Sequence, residues 1–378
     1  MNILFFTVSA GEGHNQVAKT LSEAIYKTSK NHNVKIIDTF NYINSNLHKF
    51  LMKSYIRSIK YIPELYGYFY KKTEEIDSSL HDFGELINKI FISRKLSKLL
   101  SDFKPDIIVC THPFPAEALS VLKRKNSISV PIITTLTDYT LHPIWINKEI
   151  DYYIISSEVF KYELDFWNIN PSKAKFFGIP VRERFYLKLD REKLCSKFNI
   201  KNIFTALLMG GGLGLGNIIQ TLNYLLNYKI DIQIIVVTGK NQELYKKLNE
   251  KYIKNSKYKN LRVFGFVSNI DEIMSVSDII ITKPGGITIT EALIKELPII
   301  ITSNLPGQEE RNTEFILNNG IGMLATNPNT LISSINILKN NREKYNFIKY
   351  NMSKLKKPNA TKDIVNFILS KENMTSTS

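Results

Sequence analysis

Short apolar, β-branched runs recur along the chain, each followed by a stretch with helical spacing. Ile3–Val8 predicts a strand, and a helix follows from about Gly13 with Val17, Leu21, Ala24 and Ile25 on one face. Val34–Ile37, Pro105–Thr111, Pro131–Leu136 and Tyr152–Ser156 read as further strands. Turn residues and then charge fill Phe177–Lys193, after which a second alternation begins. Its strands are Phe204–Met209, Ile232–Thr238, Leu261–Val267, Ile279–Thr282, Pro298–Thr302 and Gly322–Ala325. The tail from about Arg342 to Leu369 reads as helical. Runs that are apolar throughout belong to strands covered on both faces, as in parallel sheets. The expected class is therefore α/β, with two doubly wound, Rossmann-like parallel-sheet domains facing across a cleft. The boundaries read as 1–180, a linker at 181–200, a second domain at 201–341, and a tail at 342–378 that returns toward the first domain.

A length of 378 residues accommodates two full cores, and 43% hydrophobic with 22% charged residues suits a water-soluble globular chain. No run approaches the ~18 apolar residues of a membrane span. The start, MNILFFTVSAGEGH, lacks the features of a secretory leader. Cys110 and Cys195 fit a reducing cytoplasm and have no metal-ligand spacing. The net charge of +15 changes the picture, because it asks for an acidic partner such as nucleic acid, an anionic membrane surface or a charged small substrate.

The most informative stretch is Asp278 to Asn312. A strand there breaks at Pro284-Gly285-Gly286, and a helix resumes through Ile287 and Thr288 to Glu291. A glycine turn at a helix N-terminus presents backbone N–H groups and the positive end of a dipole, which suits phosphate. Glu291 lies close enough for ribose hydroxyls, and Gln308 and Glu309 follow the next strand at the carboxyl edge, where such sheets bind ligands. Phosphate, ribose and a polar pair together read as a nucleotide-sugar site. A second glycine-rich turn, Gly210 to Gly216 and including Gly212, admits close passage of phosphate or acceptor. A dinucleotide turn competes there, but Asp231 stands before the next strand rather than at its end.

In the first half, Ser9-Ala10-Gly11-Glu12-Gly13-His14 opens the first helix. His14 is either a general base facing the cleft or a capping residue. Thr111-His112-Pro113-Phe114-Pro115 and Thr137-Asp138-Tyr139-Thr140-Leu141-His142-Pro143-Ile144-Trp145 follow strand ends and should rim the same cleft. Asp138 is a base or the residue that orients His14, while core histidines and turn prolines would look alike. Over residues 47–72, Lys49, Lys53, Arg57 and Lys60 fall within an arc of about 80°, opposite Leu51, Tyr55, Ile59 and Ile62. Pro63 and an aromatic run follow, so the segment reads as an interfacial membrane helix or as a solvated lysine face on a core helix.

Taken in order, SAGEGHNQVAKTL, THPFPAE, TLTDYTLHPIW, FGIPVRERF, MGGGLGLGN, GFVSNIDEIMSVSDIIITKPGGITITEAL and LPGQEERN make the chain resemble the processive diacylglycerol glycosyltransferases of glycosyltransferase family 28. The resemblance spans nearly the whole chain, although Asn44 to Ser101 matches mainly in character. It implies the GT-B fold and an inverting transfer of a hexose, glucose first among candidates, from UDP-hexose to diacylglycerol. The implied UDP-sugar residues are Gly212, Phe266, Val267, Pro284, Gly285, Gly286, Ile287, Thr288, Glu291, Gln308, Glu309 and Asn312. Among them Gly285, Gly286 and the helix start would meet the diphosphate, Glu291 the ribose, the backbone near Phe266 the uracil, and Gln308, Glu309 and Asn312 the hexose. His14 or Asp138 would be the base, with Gly13, His112, His142 and Trp145 on the acceptor side. Lys49, Leu51, Lys53, Tyr55, Arg57 and Ile59 would meet anionic lipid at the inner face of the cell membrane. No cofactor and no bound metal are expected, since no Asp-x-Asp motif lies near the donor site.

Rival readings on the same fold are the N-acetylglucosaminyltransferase of peptidoglycan synthesis, with its polyprenyl-linked acceptor, and a UDP-N-acetylglucosamine 2-epimerase. A nucleic-acid-binding protein would explain the charge, but no such motif is present. A nucleotide-sugar sensor without turnover is the remaining alternative.

Overall fold

Isoleucine is stiff at its β-carbon and fits a pleated surface covered on both sides, and the chain uses it that way. Ile279, Ile280 and Ile281 are wholly buried, as are Ile299, Ile300 and Ile301 in the neighbouring strand. The computed structural model describes residues 1–9, 12–43, 94–214, 216–228, 230–254, 258–303 and 306–372. The membrane-helix reading over residues 47–72 therefore lies outside the described residues, including Lys49, Leu51, Lys53, Tyr55, Arg57 and Ile59.

Two compact units emerge. One comprises Met1–Arg182 with Pro306–Gln308 and Asn359–Ser378, the other Glu183–Leu305 with Glu309–Pro358. The first unit carries a sheet of β1 (Asn2–Thr7), β2 (Asn33–Asp38), β3 (Ile107–Cys110), β4 (Ile132–Thr135), β5 (Tyr152–Ile154) and β6 (Ala174–Lys175), in the order β2-β1-β3-β4-β5-β6. The second carries β7 (Thr205–Met209), β8 (Gln233–Val237), β9 (Leu261–Phe264), β10 (Ile279–Thr282), β11 (Ile299–Ile301) and β12 (Gly322–Leu324), in the order β12-β11-β10-β7-β8-β9. Every recorded pairing is parallel, as the continuous apolar runs predicted. In each sheet the order reverses once, between β1 and β3 and between β7 and β10. Ligands of doubly wound sheets bind at that point, outside the carboxyl ends of the strands.

The helices that matter for the site are α1 (Glu12–Thr28), α2 (Pro113–Arg124), α3 (Arg191–Phe198), α4 (Gly286–Lys295), α5 (Gln308–Asn318) and α6 (Ala360–Leu369). Two details differ from the sequence reading. The two-residue edge strand β6 was too short and polar to signal itself. The tail, read as one helix, breaks between Leu355 and Ala360, where Pro358 lacks an N–H and bars helical backbone at Lys357. After that break α6 packs on α1 in the first unit, and the Thr361 hydroxyl donates to the Val181 carbonyl at 2.9 Å. Beyond α6, the Lys371 ammonium donates to the Tyr152 hydroxyl at 3.2 Å and lies 4.5 Å from the centre of the Phe367 ring.

The stretch read as a linker carries α3, which Asp190 caps by accepting from the Glu192 and Lys193 N–H groups. Arg191 in its first turn grips Asp278 through two hydrogen bonds of 2.9 and 2.8 Å, and Asp278 also accepts from the Thr205 N–H at 2.7 Å. One carboxylate thus ties α3 to the starts of β7 and β10, the two strands that flank the reversal. Both partners are largely shielded, so removing one leaves the other poorly paired. Asp278→Ala should lower unfolding stability by about 2 kcal/mol, discounted for partial exposure, as measured by urea titration.

Candidate active site

In the first unit, the turn after β1 and the turn after β3 stand on either side of the reversal, and His14 joins them. Its Nδ1 lies 2.7 Å from the Thr111 carbonyl oxygen. A carbonyl can only accept, so Nδ1 carries the proton and Nε2 is left as the basic atom. The Thr111 hydroxyl donates in return to the His14 carbonyl at 3.1 Å, clamping the residue from both sides. Thr137 Oγ1 lies 3.1 Å from the same Nδ1 and donates to Asp138 Oδ2 at 3.2 Å. The Asp138 carboxylate, buried at 4% exposure, thereby reaches His14 through a hydroxyl. Burial pushes the imidazole below its usual pKa, while Asp138 and then the Thr111 carbonyl pull it back up in part. The net direction is down, leaving His14 neutral at neutral pH.

His112 and His142 each cap a helical turn that begins with proline, and each accepts a backbone N–H on Nδ1: from Phe114 at 3.2 Å and from Ile144 at 3.2 Å. Proline at the first helical position supplies the right φ and forfeits only a hydrogen bond that position would lack anyway. The two His-Pro pairs are thus helix starts in the structure. His112 packs edge-on to His14 with ring centroids 4.5 Å apart, and Trp145 stands 6.3 Å from His14. Burial, and then the charge of His14, hold His112 well below its usual pKa, so it stays neutral beside a partner that can take up a proton. The neighbouring imidazoles therefore carry opposite tautomers.

Asn15 was not singled out in the sequence. It accepts from the Thr7 hydroxyl at 2.9 Å and donates to Ser9 Oγ at 2.7 Å, while Ser9 donates to Asp38 through both N–H and hydroxyl. This chain of bonds ties the first turn of α1, which carries Gly13 and His14, to the ends of β1 and β2.

In the second unit, the turns after β7 and β10 again flank the reversal. Gly285 precedes α4 with φ −75° and ψ 137°, an ordinary extended conformation open to any residue. A Cβ built on it would meet only Lys283 Nζ at 3.8 Å and Thr288 Oγ1 at 4.0 Å. Neither backbone nor packing demands glycine here, and the space in front of it is open. The first-turn N–H groups of α4, at Gly286, Ile287 and Thr288, have no carbonyl within the helix. Asn312, fully buried on α5, donates to the Pro284 carbonyl at 2.9 Å and so holds this turn in place. Glu291 is buried on α4, Gln308 begins α5, and Glu309 next to it pairs with Lys283 at 2.5 Å. Lys283 went unassigned in the sequence, since a lone lysine beside a proline carries no signal of its own.

Gly214 of the second rich turn and Gly239 in the turn after β8 have a different cause. Gly214, with φ +62°, would place a Cβ 2.0 Å from the Thr238 carbonyl oxygen, and Gly239 would place one 2.5 Å from the Gly212 carbonyl oxygen. They let the turns after β7 and β8 interlock. Phe266, 60% exposed, and Val267 follow β9, three strands from β10 or about 14 Å along the edge. Among the described residues no group of three or more His, Cys, Asp or Glu side chains is placed to hold a metal ion, and no helix is long and apolar enough to cross a membrane.

These two kinds of glycine separate experimentally. Gly214→Ala should lower stability by about 3 kcal/mol, from backbone strain plus overlap. Gly285→Ala should change stability by less than about 1 kcal/mol, and if the sequence reading of phosphate here is right its methyl group should weaken UDP binding at least about tenfold. Denaturant titration and calorimetry with UDP check the pair.

The comparisons agree with this geometry. Residues 14–181 match the family model for monogalactosyldiacylglycerol (MGDG) synthase, and residues 205–367 match the glycosyltransferase family 28 C-terminal domain. A processive diacylglycerol beta-glucosyltransferase of Bacillus licheniformis is 31% identical over 97% of this chain and 94% of its own. The crystal structure of Acinetobacter baumannii MurG superposes with a TM-score of 0.62 at 14% identity, covering 98% of this chain and 99% of that one. Anabaena Alr3699/HepE in complex with UDP gives 0.59 at 15% identity, covering 98% and 100%. The fold is GT-B, and the chain belongs to the processive diacylglycerol glucosyltransferase family.

Proposed function

We propose that this protein transfers glucose from UDP-glucose to diacylglycerol with inversion at the anomeric carbon, and adds further sugars processively. The observation that carries the chemistry is the His14 tautomer, fixed by the Thr111 carbonyl so that Nε2 is the basic atom, with Asp138 behind it through Thr137. In this reading the acceptor hydroxyl oxygen attacks the anomeric carbon, the bond to the UDP oxygen breaks, and His14 Nε2 takes the hydroxyl proton. Asp138 steadies the imidazolium as it forms, in the manner of a triad carboxylate. His14 is the base rather than Asp138, because the carboxylate is occupied by the Thr137 hydroxyl and shielded from solvent.

On the donor side the uridine lies along the carboxyl edge from Phe266 and Val267 toward β10. Glu291 accepts from the ribose, and the N–H groups of Gly286, Ile287 and Thr288 receive the diphosphate beside Gly212 and Pro284. The helix dipole and these N–H groups stabilise the departing UDP. Gln308 and Glu309 face the hexose, and Asn312 acts by holding the turn. Gly13, His112, His142 and Trp145 line the acceptor side. Attachment to the inner face of the membrane rests on the basic-apolar pattern of residues 47–72, which answers to the +15 charge. Replacing Leu51 and Ile59 with Ser should release the protein from anionic vesicles.

The direct test supplies diacylglycerol-containing anionic vesicles with UDP-glucose, UDP-galactose or UDP-N-acetylglucosamine and follows labelled glycolipid. Successive glycolipids from UDP-glucose are expected; transfer only to a polyprenyl-linked acceptor, or epimerisation without an acceptor, would overturn the reading. His14→Ala should lower kcat by about 10²- to 10⁴-fold. Because burial lowers the His14 pKa, kcat/KM should hold level through neutral pH and fall only at pH values more acidic than an ordinary imidazole's titration. Asp138→Asn removes the charge that raises that pKa, so the acid limb should move to lower pH while kcat drops. A limb unmoved by Asp138→Asn would separate Asp138 from His14.

A further inference from the structure

Lys283 has a position that the donor-site reading leaves unused. Its ammonium pairs with Glu309 Oε1 at 2.5 Å, and both side chains are largely buried, at 20% and 11% exposure. The same nitrogen lies 3.8 Å from where a Cβ would stand on Gly285, at the mouth of the α4 N-terminus. The lysine stem passes 3.7 Å from the equivalent point on Gly211, in the turn across the reversal. One cation is thus placed between a carboxylate on α5 and the space in front of the first-turn N–H groups of α4.

Resting on the donor-site reading above, we propose that Lys283 is exchanged between Glu309 and the donor's diphosphate, so that arrival of the diphosphate frees the Glu309 carboxylate for the hexose hydroxyls. The chemistry follows from charge. A shielded ammonium and carboxylate neutralise one another, and a multiply charged diphosphate entering within reach of that ammonium is a stronger competitor for it. A carboxylate released in a shielded site needs donors, and hexose hydroxyls supply them. The exchange couples the two halves of the donor. The diphosphate prepares the sugar pocket, and a sugar without a diphosphate meets a carboxylate already taken.

This assigns opposite signs to the two partners, which a purely structural ion pair would not. Lys283→Met should weaken UDP binding about tenfold or more by calorimetry, and Lys283→Arg should recover much of it. Glu309→Gln removes the competing carboxylate, so it should bind UDP more tightly than the unmodified protein while losing the added affinity that glucose gives UDP-glucose over UDP. If Glu309→Gln weakens UDP as much as Lys283→Met does, the pair only holds the turn and the proposal falls. Equal UDP affinity in Lys283→Met and the unmodified protein would overturn it as well. Failure of the unmodified protein to bind UDP would instead sink the donor-site reading itself. A thermal melt of each variant separates lost binding from lost folding, and Lys283→Arg with Glu309→Gln still decides the question if Lys283→Met does not fold.

Discussion

Parallel strands all end on the same edge. Where the strand order of a doubly wound sheet reverses, the connections leave two paired neighbours toward opposite faces and open a crevice between their turns. The rest of this molecule's chemistry depends on that constraint. The turns that flank the crevice carry the polar groups, while the strands beneath are buried on both faces. In the first unit the flanking turns are bound together by the proton on His14 Nδ1 and the Thr111 carbonyl. In the second unit Lys283 leaves the turn after β10 and passes close to Gly211 in the turn after β7. Each reversal is thus bridged by a residue with reactive or charged character, held by a rigid sheet.

The glycines show why residue type alone misleads at such an edge. Gly214 and Gly239 are required by the protein itself, because their turns cross too closely for a β-carbon. Gly285 is required by nothing in the protein, having ordinary backbone angles and ordinary distances to its neighbours. In the sequence Gly214 and Gly285 are both members of glycine-rich turns, and Gly239 stands alone between Thr238 and Lys240. Only the distances sort loop packing from open space, and at Gly285 they leave room before the start of α4, where the sequence reading had already put phosphate.

The alternation of strands and helices was legible in the chain because strands buried on both faces must be apolar throughout, and Ile279–Thr282 or Ile133 with its neighbours satisfy that without ambiguity. What the sequence hid was short, polar or relational. β6 is two residues long, and the break before α6 depends on one proline. Asn15, Thr111, Thr137 and Lys283 are common residue types whose meaning lies in their partners, and those partners are 8, 97, 123 and 26 positions away. His112 and His142 were legible as strand-end residues, but the backbone N–H each accepts became visible only with the helix starts in place.

The two adjacent histidines illustrate how burial and charge divide one task. Desolvation disfavours an imidazolium at both positions, and the surroundings then separate them. Phe114 donates to His112 Nδ1, which commits that nitrogen as an acceptor, and burial and then the His14 charge hold its pKa down. His14 has its Nδ1 proton held by a carbonyl and the Asp138 charge beyond Thr137. A proton arriving at the pair therefore has one favourable destination, Nε2 of His14. The same burial that keeps this nitrogen unprotonated at neutral pH makes the Asp138 charge effective when the proton arrives, since the interaction is screened little in a shielded site. A base exposed to water would be equally neutral at high pH but would gain far less from its carboxylate. The protonation of this one ring thus turns on the opposition of desolvation and charge, and the fold supplies both where the turns meet at the strand reversal.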